Sequence, residues 1–188
     1  MGVVAVILIA AVFTFLNYSG QGKEKKAQAA AVGAQQFFQQ QQWQSAIDGN
    51  EESMGFTEIA DTYGKTSIGN LAHYYLGVSY MKTGEYQKSL DQLTQYKPTK
   101  DPNINGLAFM NMGDASMELG NTDEALSYYE KAADTESEAF TADFLMRYAL
   151  AQLQANDNEG AKESFKKLAS DYPNSSHSNV AEQYIAGL

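Results

Sequence analysis

Apolar positions along the chain fall into three regimes. Val3 to Leu16 (VVAVILIAAVFTFL) is an unbroken apolar run inside an uncharged stretch from Met1 to Gly22. From Glu24 to Ala46 the apolar positions thin to Val32, Phe37, Phe38 and Trp43, followed by Ile47, at intervals compatible with one stripe on a helix. The residues between them are mostly Ala and Gln, good helix formers, so one long helix is expected. Asp48-Gly49-Asn50 breaks it, and a short helix follows around Phe56 to Tyr63. Beyond Asn70 the pattern settles into steps of three and four: Leu71, Tyr74, Tyr75, Val78 and Met81 share one side of a helix that Gly84 ends. Second helices are expected over Tyr86 to Tyr96, Thr122 to Ala133 and Asn158 to Asp171, and a last one over about Ser178 to Ala186. Pro98, Pro102 and Pro173 mark the linkers.

Between Gly77 and Pro173 this pattern is written three times at a spacing of 36 residues. Gly77, Gly113 and Ala149 hold its first position, Gly84, Gly120 and Asn156 its second, Ser89, Ala125 and Ala161 its third, and Leu93, Tyr129 and Phe165 its fourth. Four registers agreeing at one period mark a helical repeat array. The small residues let the two helices of a pair approach closely, and the large ones are expected to fill the space between neighbouring pairs. A weaker echo precedes the array: Phe56, Ile59, Ala60 and Tyr63 stand 109 residues before Phe165, Leu168, Ala169 and Tyr172. A divergent first hairpin and a lone last helix therefore read as caps. The expected division is an anchor over residues 1–22, a neck helix and divergent hairpin over 23–69, and three repeats plus a capping helix over 70–188.

The apolar start changes the picture most. An 18-residue helix from Gly2 to Ser19 spans roughly 27 Å at about 1.5 Å per residue, against a hydrocarbon thickness of about 30 Å. It reads as a single transmembrane helix whose anchoring side chains include Val3, Val6, Ile9, Val12 and Phe15, with Tyr18 and Lys23, Lys25 and Lys26 at one interface. A cleaved signal peptide and a buried core helix are the alternatives; Met1-Gly2 supplies no basic leader for the first, and the run lacks the polar stripe of the second. The lysines after the apolar run would place that side in the cytoplasm, which leaves topology open at this point.

Charge and composition narrow the function. The chain has 188 residues, 44% of them hydrophobic, enough to bury a core, and a net charge of -10. With the three neck lysines and Glu24 set aside, 10 basic and 22 acidic side chains remain, a net of -12. Such a surface repels nucleic acid and anionic lipid, so the body is not expected to bind either. There is no cysteine, hence no thiol catalysis, disulfide or cysteine-based metal site. His73 and His177 stand far apart and form no HxxxH pair, and Gly33, Gly49 and Gly55 lack phosphate-loop spacing. Glu51-Glu52 and Asp123-Glu124 are expected at helix starts, where they complement the dipole. Asn174-Ser175-Ser176 matches a glycosylation sequon and is read more simply as a turn. The chain is expected to be no enzyme and to use no cofactor, metal or small-molecule substrate.

The array from Leu76-Gly77, Tyr80 and Gly84 through Met112-Gly113, Gly120, Ala125 and Tyr129 to Ala149, Ala161, Phe165 and Pro173 resembles the tetratricopeptide repeat (TPR), a 34-residue helix-turn-helix unit, with two extra residues per repeat placed in the linkers. The resemblance implies an all-α, TPR-type hairpin solenoid after a single N-terminal transmembrane helix. It also implies a concave face lined by first helices. On this chain that face maps to Leu71, Tyr74, Val78 and Met81, then Met110, Asp114 and Met117, then Met146, Leu150 and Leu153. Four of the seven methionines are among them. Flexible thioethers suit varied apolar segments, although the same residues could instead pack beneath a capping helix or the neck. Tyr74, Met110 and Met146 stand where the carboxylate-clamp type of this fold carries Lys, Arg and Asn, so that activity is not expected.

The whole-chain layout, with Ala46-Ile47-Asp48-Gly49, Tyr63-Gly64, Gly69-Asn70-Leu71-Ala72 and Tyr74-Tyr75-Leu76-Gly77, resembles the membrane-anchored YfgM-like family of the Bacteroidetes group, ancillary subunits of the Sec translocon. That resemblance implies a single-pass protein of the bacterial inner membrane with its repeats in the periplasm, and an adaptor or chaperone-like role in export. Its partners would be translocon subunits, a partner chaperone or exported clients. A structural scaffold that self-associates or assembles another envelope complex is the alternative.

Overall fold

The computed structural model describes the backbone from Gly2 to Leu188 and side chains from Gly20 onward. All regular elements among these residues are α-helices. The anchoring side chains Val3, Val6, Ile9, Val12 and Phe15 lie outside the described residues. Among the described residues no helix is long and apolar enough to cross a membrane. The chain divides into two compact units, Met1–Thr83 and Gly84–Leu188.

The first unit contains α1 (Gly2–Gln39), α2 (Trp43–Asp48), α3 (Phe56–Tyr63) and α4 (Ser67–Lys82). The single long helix expected over Glu24 to Ala46 is broken. It stops at Gln39, and Gln41 takes a left-handed φ of 59° while its amide and that of Gln42 donate to the carbonyls of Phe38 and Phe37. Packing explains the break, because the turn brings Ala46 and Ile47 into a core with Ala31 and Ala34 of α1, Phe56 and Ile59 of α3, and Ala72 and Leu76 of α4. Phe38 anchors the turn by meeting the rings of Trp43 at 5.2 Å and Tyr75 at 4.9 Å, both edge-on. Tyr75 in turn stacks on Phe56 at 4.8 Å. Burial holds its phenol above the ordinary pKa of 10.0.

Glu51 and Glu52 do not start a helix. They lie in a loop closed by a bridge between Gly49 and Met54, where the Asn50 carboxamide oxygen accepts from the amides of Glu52 and Ser53. The start of α4 is closed from two sides instead. Thr66 Oγ1 accepts from the Gly69 amide at 3.0 Å, and the carboxylate of Glu24, on α1, accepts from the amides of Ser67 at 2.8 Å and Ile68 at 3.2 Å. A carboxylate on free amides at a helix N-terminus meets both their unpaired donors and the positive end of the dipole.

The second unit contains α5 (Tyr86–Gln95), α6 (Pro102–Glu118), α7 (Thr122–Ala133), α8 (Thr141–Gln154), α9 (Asn158–Asp171) and α10 (Ser178–Gly187). Helices α6 and α7 form one antiparallel hairpin, α8 and α9 the next, and α10 lies on α9. Asp101 caps α6 by accepting from the Asn103 amide, and Pro102 opens it where no amide is needed. Gly120 (φ 80°) and Asn156 (φ 62°) hold one register and both make the left-handed step between the helices of a pair. Large residues do more than fill space between pairs. A Cβ on Gly113 would lie 2.6 Å from the Tyr129 ring, so that ring sits on the bare backbone of its own partner helix while clustering with Ala151 of α8. Phe165 is buried with Ala149 and Ala161 of its own pair and stacks on Tyr184 of α10 at 4.7 Å.

Candidate protein-binding groove

The residues expected on a concave face are divided between the two units. Leu71, Tyr74, Val78 and Met81 stand half-buried on α4 in the first unit, Tyr74 with its ring 5.5 Å from that of Tyr75. The other six lie on α6 and α8 in the second unit.

Among those six, Met110, Met146 and Leu150 line one groove of about 480 Å³ between α6 and α8. Its remaining apolar lining is Leu107, Phe140 and Phe144, and Asp143, Arg147 and His177 edge it. The helical period explains the grouping: Leu107 and Met110 are three apart on α6, and Asp143, Met146, Arg147 and Leu150 advance by three and four along α8. Gly106 is what lets the second layer in, because a side chain there would collide with the Phe144 ring. Met117 packs beside Met110 around Ala125, Tyr129 and Ala151. Leu153 does not line the groove; it packs on the core that holds Ala161 and Phe165, against which Met110 and Met146 are also packed.

Charged groups at the groove are held in pairs. Asp114 Oδ1 accepts from Tyr129 Oη at 2.7 Å and lies 3.6 Å from Arg147 Nε, so one carboxylate joins α6, α7 and α8. Burial, reinforced by the Asp114 charge, pushes the Tyr129 phenol far above its ordinary value. At the other end His177 Nε2 lies 2.6 Å from Asp143 Oδ1, clasping the segment before α10 to α8. The groove thus has an apolar lining, with the Arg147–Asp114 ion pair and the His177–Asp143 contact at its edge, inside a unit carrying 17 acidic and 8 basic residues. A larger cleft of about 640 Å³ between α7, α8 and α9 is lined by Ala133, Leu145 and Tyr148 together with the charged Glu130, Asp134, Glu163, Lys166 and Lys167, and by no methionine.

Leu107, Phe140, Asp143, Phe144, Arg147 and His177 were not among the expected groove residues. Arg147 belongs to the same helical stripe as Met146 and Leu150 and was legible there. His177 lies 34 residues from Asp143, and no local pattern joins them. Among the described residues, no group of three His, Asp or Glu side chains is placed to hold a metal ion.

The architecture has relatives among solved structures. The crystal structure of MamA protein superposes with a TM-score of 0.66 at 15% identity, covering 85% of this chain and 78% of that one. The crystal structure of a variant Podosopora anserina kinesin light chain protein with nearly identical TPR-like repeats gives 0.65 at 14%, covering 86% and 84%. At such identities the likeness establishes the fold, and the fold is the TPR type. No curated protein matches the chain. The family described as T7SS, ESX-1 secretion system protein EccA1, N-terminal domain, matches residues 8–183, nearly the whole chain. The chain belongs to that EccA1 N-terminal domain family, on a TPR-type helical array.

Proposed function

We propose that the chain is a membrane-tethered, non-enzymatic binding module of a bacterial protein-export apparatus, and that the α6–α8 groove receives apolar segments of export clients or partner subunits. The observation that carries this reading is the open groove in which Met110 and Met146, from successive first helices, stand together over Leu107, Phe144 and Leu150. Thioethers on rotatable stems adapt to differing apolar shapes, which suits a receptor of many segments more than one fixed ligand.

Two likenesses, to different secretion systems, support export as the setting. The family takes its name from a secretion-system protein, and the layout of apolar start, lysine neck and repeats resembles ancillary subunits of the Sec translocon. The partners in this reading are translocon subunits, a partner chaperone or exported clients. The apolar run Val3 to Leu16 serves as the tether in the bacterial inner membrane, with the repeats in the periplasm.

A photo-crosslinking residue at Leu150, read out from native membranes by mass spectrometry, tests the proposal. Adducts with export subunits or secreted proteins, lost in a Met110→Glu background, are expected. Adducts indifferent to Met110→Glu would remove the groove from the function. Labelling of Lys131 by reagents confined to the cytoplasm would overturn the periplasmic placement.

A further inference from the structure

The fold adds a fourth lysine to the neck. Lys23, Lys25 and Lys26 stand on α1, and the carboxylate among them, Glu24, is occupied by the amides of Ser67 and Ile68 at the start of α4. That contact fixes the turn between α3 and α4 beside the neck, and with it Lys65, two residues before Ser67. All four lysines are exposed, and among the described residues none of them is in an ion pair. The other carboxylates of the unit stand apart from them or act singly. Asp61 lies one turn before Lys65 and Glu58 two turns before it. Asp48, Glu51 and Glu52 belong to the other end, where Ser53 packs on Gly33, about 14 Å beyond Glu24 along α1 at about 1.5 Å per residue.

We propose, resting on the reading of the apolar run as a tether, that Lys23, Lys25, Lys26 and Lys65 form a collar that seats the first unit on the phosphates of anionic lipid headgroups. Distance along the helix selects that occupant. Helix α1 is continuous from Gly2 to Gln39, so Lys23 to Lys26 stand about 6 to about 11 Å beyond Ser19, against a headgroup layer of roughly 5–8 Å on each face of a bilayer. The count of cations points the same way. Three neck lysines fall short of the roughly four to eight that mark an anionic-lipid site beside a spanning helix, and Lys65, supplied by the fold, makes up the number. Charge is divided along the chain. Four of the first unit's five lysines gather at this one end, whereas the second unit carries 17 acidic and 8 basic residues and repels such a surface.

The absence of native cysteine makes the test direct. Full-length chain in nanodiscs carries bimane on one introduced thiol at a time: Thr62→Cys beside Lys65, Glu52→Cys at the other end of the unit, or Ala11→Cys in the apolar run. The discs contain phosphatidylcholine alone or mixed with phosphatidylglycerol, and a nitroxide is placed on the headgroups or on the acyl chains. Headgroup nitroxide is expected to quench position 62 in the mixed discs far more than in the neutral ones, less so as salt rises, and to leave position 52 unquenched. Lys65→Gln should lower the docking equilibrium read from that quenching about fivefold, and Lys65→Arg should preserve it. Equal quenching of position 62 in both kinds of disc, or quenching indifferent to Lys65→Gln, overturns the collar, and acyl-chain quenching of position 11 in the same discs shows that the tether still stands. Position 11 unquenched by acyl-chain nitroxide overturns the tether and the collar together.

Discussion

Tyr129 carries two duties that its register alone does not announce. Its ring replaces a side chain at Gly113, and its hydroxyl fixes Asp114, which in turn holds Arg147 at the groove. Tyr129→Phe keeps the ring and removes the bond, so a loss of about 1.5 kcal/mol in urea unfolding is expected, with Arg147 less ordered. The phenol also makes stability depend on alkali. Because the folded chain holds this proton more tightly than the unfolded chain, the contribution is whole below the ordinary pKa of 10.0 and is lost as pH rises beyond it. Tyr129→Phe should therefore show a shallower loss of stability between about pH 9 and about pH 11 than the natural chain. The slope does not vanish, since Tyr75, Tyr96, Tyr128 and Tyr148 are also raised by burial. Of this arrangement the sequence displayed Gly113 as a small position and Tyr129 as a large one, and placed the ring between neighbouring pairs; the structure seats it on Gly113 of its own pair. The hydroxyl's partner, 15 residues away on another helix, required the hairpin to be folded.

At the scale of elements, close approach of helices and closure of helix ends decide the structure. Gly113→Val would drive a branched side chain into the Tyr129 ring, and about 2 kcal/mol or more of destabilisation is expected by thermal unfolding. Glu24→Ala should leave the amides of Ser67 and Ile68 unclosed, costing about 1 kcal/mol and speeding their hydrogen exchange selectively. Unchanged exchange at those two amides would show that Thr66 alone closes the helix. The second helices of the array were legible almost to the residue, because Gly, Asn and Pro stand where the period breaks. The first unit was less so. A long Ala- and Gln-rich stretch specifies helix everywhere, and the turn at Gln41 is imposed by tertiary burial of Ala46 and Ile47, an effect that local propensity does not contain. Likewise Glu24 sits between lysines in a row that reads as simple charge, while its carboxylate closes a helix 43 residues further on.

For the whole molecule, a repeat period fixed the kind of fold and left the partner to side chains that the period does not constrain. Met110, Met146 and Leu150 come together between α6 and α8, the two methionines half-buried and packed against the core, whereas Leu153 packs on that core without lining the groove. The account therefore stands on whether that groove takes up apolar segments. The measurement that decides it is a titration of full-length chain, carrying ¹³C-methyl methionine in detergent-free nanodiscs, with a leucine-rich export-signal peptide and a polar scramble of it. The account predicts that the Met110 and Met146 methyl resonances shift together, saturate with the apolar peptide only, and cease to respond when Leu150→Glu is introduced, while Met54 in the first unit stays in place. Silent Met110 and Met146 resonances, or equal shifts with both peptides, would contradict it.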